Sequence, residues 1–135
     1  MEHVEYDDYR PKVTAKRSSA GLGLYAAESI SPNQLIIEYT GDRLTDEEAN
    51  QRGGMYLFSV TDDITIDGSD RSNTARYINH ACNPNAEAEH EVTEDRIYIR
   101  AAAPIAIGEE ITINYGEQFV ADIIDKVGCK CKDCL

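Results

Sequence analysis

Long apolar runs are missing from this chain of 135 residues: none approaches the roughly 18 that a membrane-spanning helix requires, which excludes a conventional helical span. Nor does Met1 to Asp8 read as a signal peptide, being acidic and polar where a basic flank and an apolar stretch would be expected. Basic residues are scarce. Thirteen Lys and Arg stand against 25 Asp and Glu, a formal charge of −12 that argues against a surface built to clamp a nucleic-acid backbone. A basic protein or peptide is the easier partner, although the same acidity also serves solubility alone. There is no internal repeat, and the length fits one domain with a core that a metal staple would assist. The expectation is a soluble, intracellular protein with no membrane or nucleic-acid partner: cytoplasmic in a prokaryote, nuclear or chromatin-associated in a eukaryote. Nothing in the sequence speaks to oligomeric state.

Cysteines are few, four in all, and unevenly placed. Cys82 stands alone, while Cys129, Cys131 and Cys134 crowd the last seven residues. Reducing compartments favour metal over disulfides, and thiolate-bound zinc takes four ligands in a tetrahedron. One ion held by Cys82, Cys129, Cys131 and Cys134 would pin the end of the chain beside Asn79-His80. Disulfides, a redox Cys131-x-x-Cys134 unit and His80 as a ligand are the competing readings.

Short segments with β-branched or aromatic residues between turn signals predict strands at Leu35 to Tyr39, Tyr56 to Val60, Ile64 to Asp67, Ile97 to Ala101 and Ile111 to Tyr115. The class is mainly β with short helices. Thr45-Asp46-Glu47-Glu48 has the form of a capping box, so a short helix is expected to open there and end near Gly53-Gly54. Phe119, Val120, Ile123, Ile124 and Val127 recur at helical spacing before Gly128 and predict a second helix. Ser31-Pro32-Asn33 and Pro104 read as turns.

Three stretches carry chemistry. Gly21-Leu22-Gly23-Leu24-Tyr25-Ala26 lacks the third glycine and the strand-then-helix setting of a dinucleotide fingerprint; alone it reads as a tight turn that lets backbone approach a ligand. Arg76-Tyr77-Ile78-Asn79-His80-Ala81-Cys82-Asn83-Pro84-Asn85 packs amide, imidazole and thiol groups into a stretch too polar for core, although Asn79 and His80 could merely satisfy buried backbone. Gly108-Glu109-Glu110-Ile111-Thr112-Ile113-Asn114-Tyr115-Gly116 runs from a turn through a strand to a tyrosine.

Taken in order with the terminal Cys-x-Cys-x-x-Cys, these stretches resemble the SET-domain protein lysine methyltransferases from about Lys16 to Leu135. Ile36-Ile37-Glu38-Tyr39-Thr40-Gly41, Tyr56-Leu57-Phe58 and Asp67 are placed as in that family. The resemblance implies small β-sheets around a threaded, knot-like core, with a flexible segment 1–11, a SET domain 12–116 and a post-SET helix and zinc tail 117–135. It implies S-adenosylmethionine and a lysine-bearing basic peptide, histone-like in character, on opposite sides of a narrow channel. Tyr115 would be catalytic, with Tyr56. Gly21, Gly23, Leu24 and Tyr25 would run along the methionine and ribose portion of the cofactor, and Asn79 and His80 would sit at its adenine and amino-acid ends. Tyr56, Arg76 and Tyr115 would complete that site, Arg76 also bracing its segment through an acidic partner. Tyr56, Phe58, Ile113 and Tyr115 would line the lysine channel.

The chain departs from the family pattern at several points. Ala81 replaces the usual serine after Asn-His, removing a hydroxyl. The cysteine spacing in the tail is tighter than the common one. Residues 1–11 hold no cysteine, so peptide contacts are expected from elsewhere than a cysteine-rich leading segment. Ile113 stands where the family has phenylalanine or tyrosine, and its smaller side chain implies a product beyond monomethyl-lysine. The alternatives to an enzyme are a catalytically silent SET-like module that binds a peptide or cofactor, and a structural zinc module.

Overall fold

The computed structural model describes residues 10–18, 21–53, 56–61 and 63–114. Strands β1 (Val13–Ser18) and β2 (Gly21–Ala26) form an antiparallel hairpin whose register runs from Val13 opposite Ala26 to Ser18 opposite Gly21. The glycine stretch is therefore a strand and not the turn that its composition predicts. Gly21 has φ 104°, a left-handed value that glycine tolerates and that lets the chain enter β2 from the hairpin. After β2 come β3 (Leu35–Tyr39), β4 (Asp42–Leu44), α1 (Asp46–Arg52), β5 (Leu57–Ser59) and β6 (Thr65–Asp67). A 3-10 turn at Thr74–Tyr77 then leads into β7 (Asn79–His80), β8 (Ala86–Glu91), β9 (Arg96–Ala101) and β10 (Glu110–Ile113).

These strands make three small sheets, ordered β1-β2-β10-β7, β3-β9-β8 and β4-β6-β5. Nearly all pairings are antiparallel. The exception joins β7 to β10 in parallel, Thr112 opposite Asn79 and Ile113 opposite His80, so segments more than thirty residues apart lie side by side. β3 keeps its predicted bounds, and the other predicted strands fall within a residue or two of theirs. The α1 capping box is complete: the Thr45 hydroxyl accepts from Glu48 N–H at 3.2 Å, and the Glu48 carboxylate accepts from Thr45 N–H at 2.9 Å. Gly53 terminates the helix. At Ser31-Pro32-Asn33 the turn forms with Asn33 at φ 69°. The predicted second helix lies outside the described residues, and among these no helix is long and apolar enough to cross a membrane.

One apolar cluster joins the three sheets. Leu24, Ile36, Phe58, Ile99, Ile105 and Ile111 are each at most 1% exposed, and Tyr39 packs its ring 5.2 Å from that of Phe58. Each such burial is worth about 1.5–3 kcal/mol, which makes this cluster the principal adhesive of the fold. Leu44, Ala49 and Leu57 form a satellite beneath α1. The practical consequence is that β2, β7 and β10, which carry the chemistry-bearing motifs, rest on a dry floor of Leu24, Ile78, Ile111 and Ile113.

Candidate functional site

The parallel pair β7–β10 is two residues long, too short to hold itself, and side-chain amides extend it. Ala81 N–H continues the ladder to Ile113 O at 2.9 Å. Asn85 then grips β10 as a strand would, its Oδ1 accepting from Thr112 N–H at 2.9 Å and its Nδ2 donating to Glu110 O at 2.8 Å. Ala81 is buried, so the methyl that stands for the family's hydroxyl leaves the backbone pairing intact.

Asn79 is the junction of three strands. Its Nδ2 donates to Leu22 O on β2 at 3.0 Å and to Glu110 Oε2 on β10 at 2.8 Å. Gly23 leaves room beside this junction: a Cβ there would stand 2.4 Å from Glu110 Oε2 and 3.2 Å from Asn79 Nδ2, so the Glu110 carboxylate would have to move. Among the described residues a Cβ at Gly21 would meet nothing within 4 Å. Leu24 points into the core with 0% exposure, and half-buried Tyr25 carries Lys16 Nζ 4.6 Å from its ring centroid.

His80 is half-buried, with Nε2 3.5 Å from Cys82 Sγ, and burial holds the imidazole below its ordinary pKa, favouring the neutral ring. Cys82 is exposed and disulfide-bonded. Cys129, Cys131, Cys134 and Tyr115 lie outside the described residues. Among the described residues no group of three or more His, Cys, Asp or Glu side chains could hold a metal.

Arg76 stands over rings instead of meeting the acidic partner expected of it. Its guanidinium carbon is 4.6 Å from the Tyr56 ring centroid and 5.5 Å from that of Tyr77. Among the described residues it has no carboxylate within ion-pair distance, and its buried Nε has no hydrogen-bond partner. Hydrogen bonding to Tyr56 raises its pKa further above the ordinary value, so the positive charge is permanent. Tyr56 is held by its backbone as well, its carbonyl accepting from Tyr39 O–H at 2.7 Å and Gly68 N–H at 2.9 Å. Phe58 and Ile113 are core residues, 1% and 3% exposed.

The structure thus brings Gly23, Asn79, His80 and Cys82 to one end of the β2-β10-β7 sheet, while Tyr56 and Arg76 form a second group around a stacked cation. Sequence reasoning missed Glu110 and Asn85 as partners of this end, and Asn73 as a brace. Asn73 is 1% exposed; it accepts from Thr40 N–H at 3.0 Å and donates to Gly68 O at 3.0 Å. No local pattern marks any of the three, since every partner but Gly68 is more than twenty residues away in sequence. A groove of about 430 Å³ lined by Arg10, Val13, Ile36, Glu38 and Thr74, among others, contains none of the predicted site residues.

Comparisons with known proteins agree with this topology. Human histone-lysine N-methyltransferase 2D is 38% identical over 128 residues, covering 87% of this chain and 2% of the relative. Histone-lysine N-methyltransferase set1 of Dictyostelium discoideum is 39% identical over 135 residues, covering 91% of this chain and 9% of the relative. The chain therefore spans only a small part of the curated relatives it matches. Among solved structures, the Chaetomium thermophilum Polycomb Repressive Complex 2 bound to GSK126 superposes with a TM-score of 0.75 at 32% identity, over 84% of this chain and 17% of that one. An autoinhibited ctPRC2 bound to S-adenosylmethionine gives a TM-score of 0.72 at 31% identity, over 83% and 16%. Three small sheets, a parallel pair that seats Asn79 and His80 on β10, and a SET domain profile matching residues 21–116 place this chain in the SET-domain family.

Proposed function

We propose that the chain is an S-adenosylmethionine-dependent protein-lysine N-methyltransferase acting on a lysine in a basic, histone-like protein segment. The observation that carries this reading is the parallel seating of Asn79–His80 against Thr112–Ile113, which sets an amide and a neutral imidazole beside the strand that precedes Tyr115 in sequence. Family membership supports it, as do relatives named histone-lysine N-methyltransferases and a neighbour bound to S-adenosylmethionine. The acidic composition, −12 overall, suits a basic partner. In a eukaryotic cell the reading puts the chain at chromatin.

The residues present fit the cofactor. The backbone at Gly21, a fixed amide at Asn79 and a neutral ring at His80 offer the hydrogen-bonding groups that a buried ammonium, carboxylate and adenine edge need. When bound, the cofactor would supply an electrophilic methyl group on a sulfonium. A lysine amine attacks only when neutral, yet its ordinary pKa near 10.4 keeps it protonated at pH 7. Tyr56 and Tyr115 would line an apolar channel, backed by the core residues Phe58 and Ile113, that disfavours the ammonium by desolvation, with water carrying the proton away. Arg76, stacked on Tyr56, would hold that ring in place. The Tyr115 hydroxyl would orient the amine and stabilise developing charge without acting as a strong base.

Cys82, Cys129, Cys131 and Cys134 would hold a structural zinc that ties the chain's end to the Asn79-His80 segment. A disulfide at Cys82 is the competing state, and a reducing compartment would favour the metal. Zinc analysis and thiol titration of reduced protein decide between the two: one equivalent of zinc with protected thiols supports the metal, and zinc-free folded protein overturns it.

The test of the activity is transfer of labelled methyl groups from the cofactor to histone-like proteins. Tyr115→Phe is expected to cut turnover at least a hundredfold with cofactor affinity retained, about 3 kcal/mol in the transition state. An unchanged rate would remove Tyr115 from its role. Cofactor binding without transfer would favour the silent module, and neither would leave a structural one. Ile113→Phe is expected to shift products toward monomethyl-lysine by mass spectrometry.

A further inference from the structure

Asn79 is more constrained than a ligand-binding amide needs to be. Its NH₂ group has two hydrogens, and the two atoms it meets, Leu22 O at 3.0 Å and Glu110 Oε2 at 2.8 Å, can only accept when the carboxylate is ionised. Turning the amide over would press Oδ1 against two acceptors, so chemistry alone fixes which atom faces inward. Gly23 makes this possible, since a side chain there would occupy the place of the Glu110 carboxylate. Three strands thus cooperate to orient one amide.

We infer that Glu110 is a positioning residue for the amino-acid end of the cofactor, holding Asn79 so that its carbonyl oxygen is what a ligand meets. This rests on the cofactor reading proposed above. A carbonyl oxygen has two lone pairs and can take a ligand proton alongside any bond within the chain. Of the groups at that end, the ammonium donates and the carboxylate only accepts, so the fixed oxygen selects the ammonium. The Glu110 charge behind the amide favours the same cation.

The experiment compares two ligands by calorimetry. S-adenosylhomocysteine carries the amino-acid end; 5′-methylthioadenosine keeps the nucleoside and thioether and lacks it. Glu110→Ala is expected to weaken the first about tenfold or more and the second less than about twofold. Glu110→Gln keeps an acceptor for Asn79 and is expected to recover affinity for the first to within about threefold of wild type. Equal weakening of both ligands, no weakening, or a Gln variant as weak as Ala would overturn the assignment. If the Ala variant does not fold, Glu110→Asp, which withdraws the carboxylate by one methylene, is judged by the same selective loss. Wild-type protein that binds neither ligand overturns the cofactor reading itself, and the role of Glu110 with it.

Discussion

Two regions of the molecule cross-link their chains with different chemistry. On the β3-β9-β8 sheet the links are ionic: Arg100 grips Glu89 through two bonds of 2.8 Å, and Arg96 meets Glu94 at 3.0 Å. Around the candidate site they are amides: Asn73, Asn79 and Asn85 each bond backbone groups of distant segments. The ionic links decorate strands whose backbone is already paired. The amides stand in for pairing where the chain is irregular, so they should matter more although they carry no charge.

The sharpest way to break this comparison is Asn73→Ala. It strands the N–H of Thr40 and the C=O of Gly68 beside a fully buried site, at about 1–3 kcal/mol for each group. A fall in melting temperature of roughly 10 °C is expected for a chain of this size. A loss under about 2 °C would show that the amide is dispensable.

Gly23→Ala comes next, at about 1–3 kcal/mol, because its methyl would collide with Glu110. The double variant with Glu110→Ala sharpens the point. With the carboxylate gone, the added methyl should cost less than it does alone, a coupling of at least about 0.5 kcal/mol by denaturant midpoint. Strict additivity would mean that Gly23 is needed for some other reason.

How much of this was legible depended on whether a signal is local. The α1 capping box lies within four residues and formed as expected, and β3 is an apolar run long enough to read directly. β8 was missed because its inward side chains include only Ala86 and Ala88 between glutamates, too little apolar surface to register as a strand. β2 was taken for a turn because glycines suggest one, whereas Gly23 is there to admit a carboxylate from β10. The polar segment 76–85 stood out as a site, but its wiring to Glu110 and Thr112 crosses about thirty residues and leaves no periodicity. Arg76 suggested a carboxylate partner, and among the described residues it has the faces of Tyr56 and Tyr77.

On the ionic side, Arg100→Ala should cost only about 1 kcal/mol, even though the pair is bidentate and Arg100 also donates to Asn33 O at 2.6 Å. A melting shift near 3 °C is expected, shrinking in high salt. A cost equal to that of Asn73→Ala would erase the distinction between the two regions.

The smallest effect concerns a charge between the two regimes. Burial pushes the Asp67 carboxyl up, but bonds from Ser69 and Arg52 outweigh it and hold the group below its ordinary pKa. Between the folded and unfolded values the unfolded chain binds more protons, so stability rises with pH there. The Asp67 contribution should be fully present above about pH 4 and lost as pH falls through the folded value. Asp67→Asn removes that titration, so its stability should depend less steeply on pH below 4 than wild type, as followed by urea midpoints at closely spaced pH. Parallel curves would mean that Arg52, 46% exposed and shared with Asp42, does too little to perturb the carboxylate, and that this link too is only decoration.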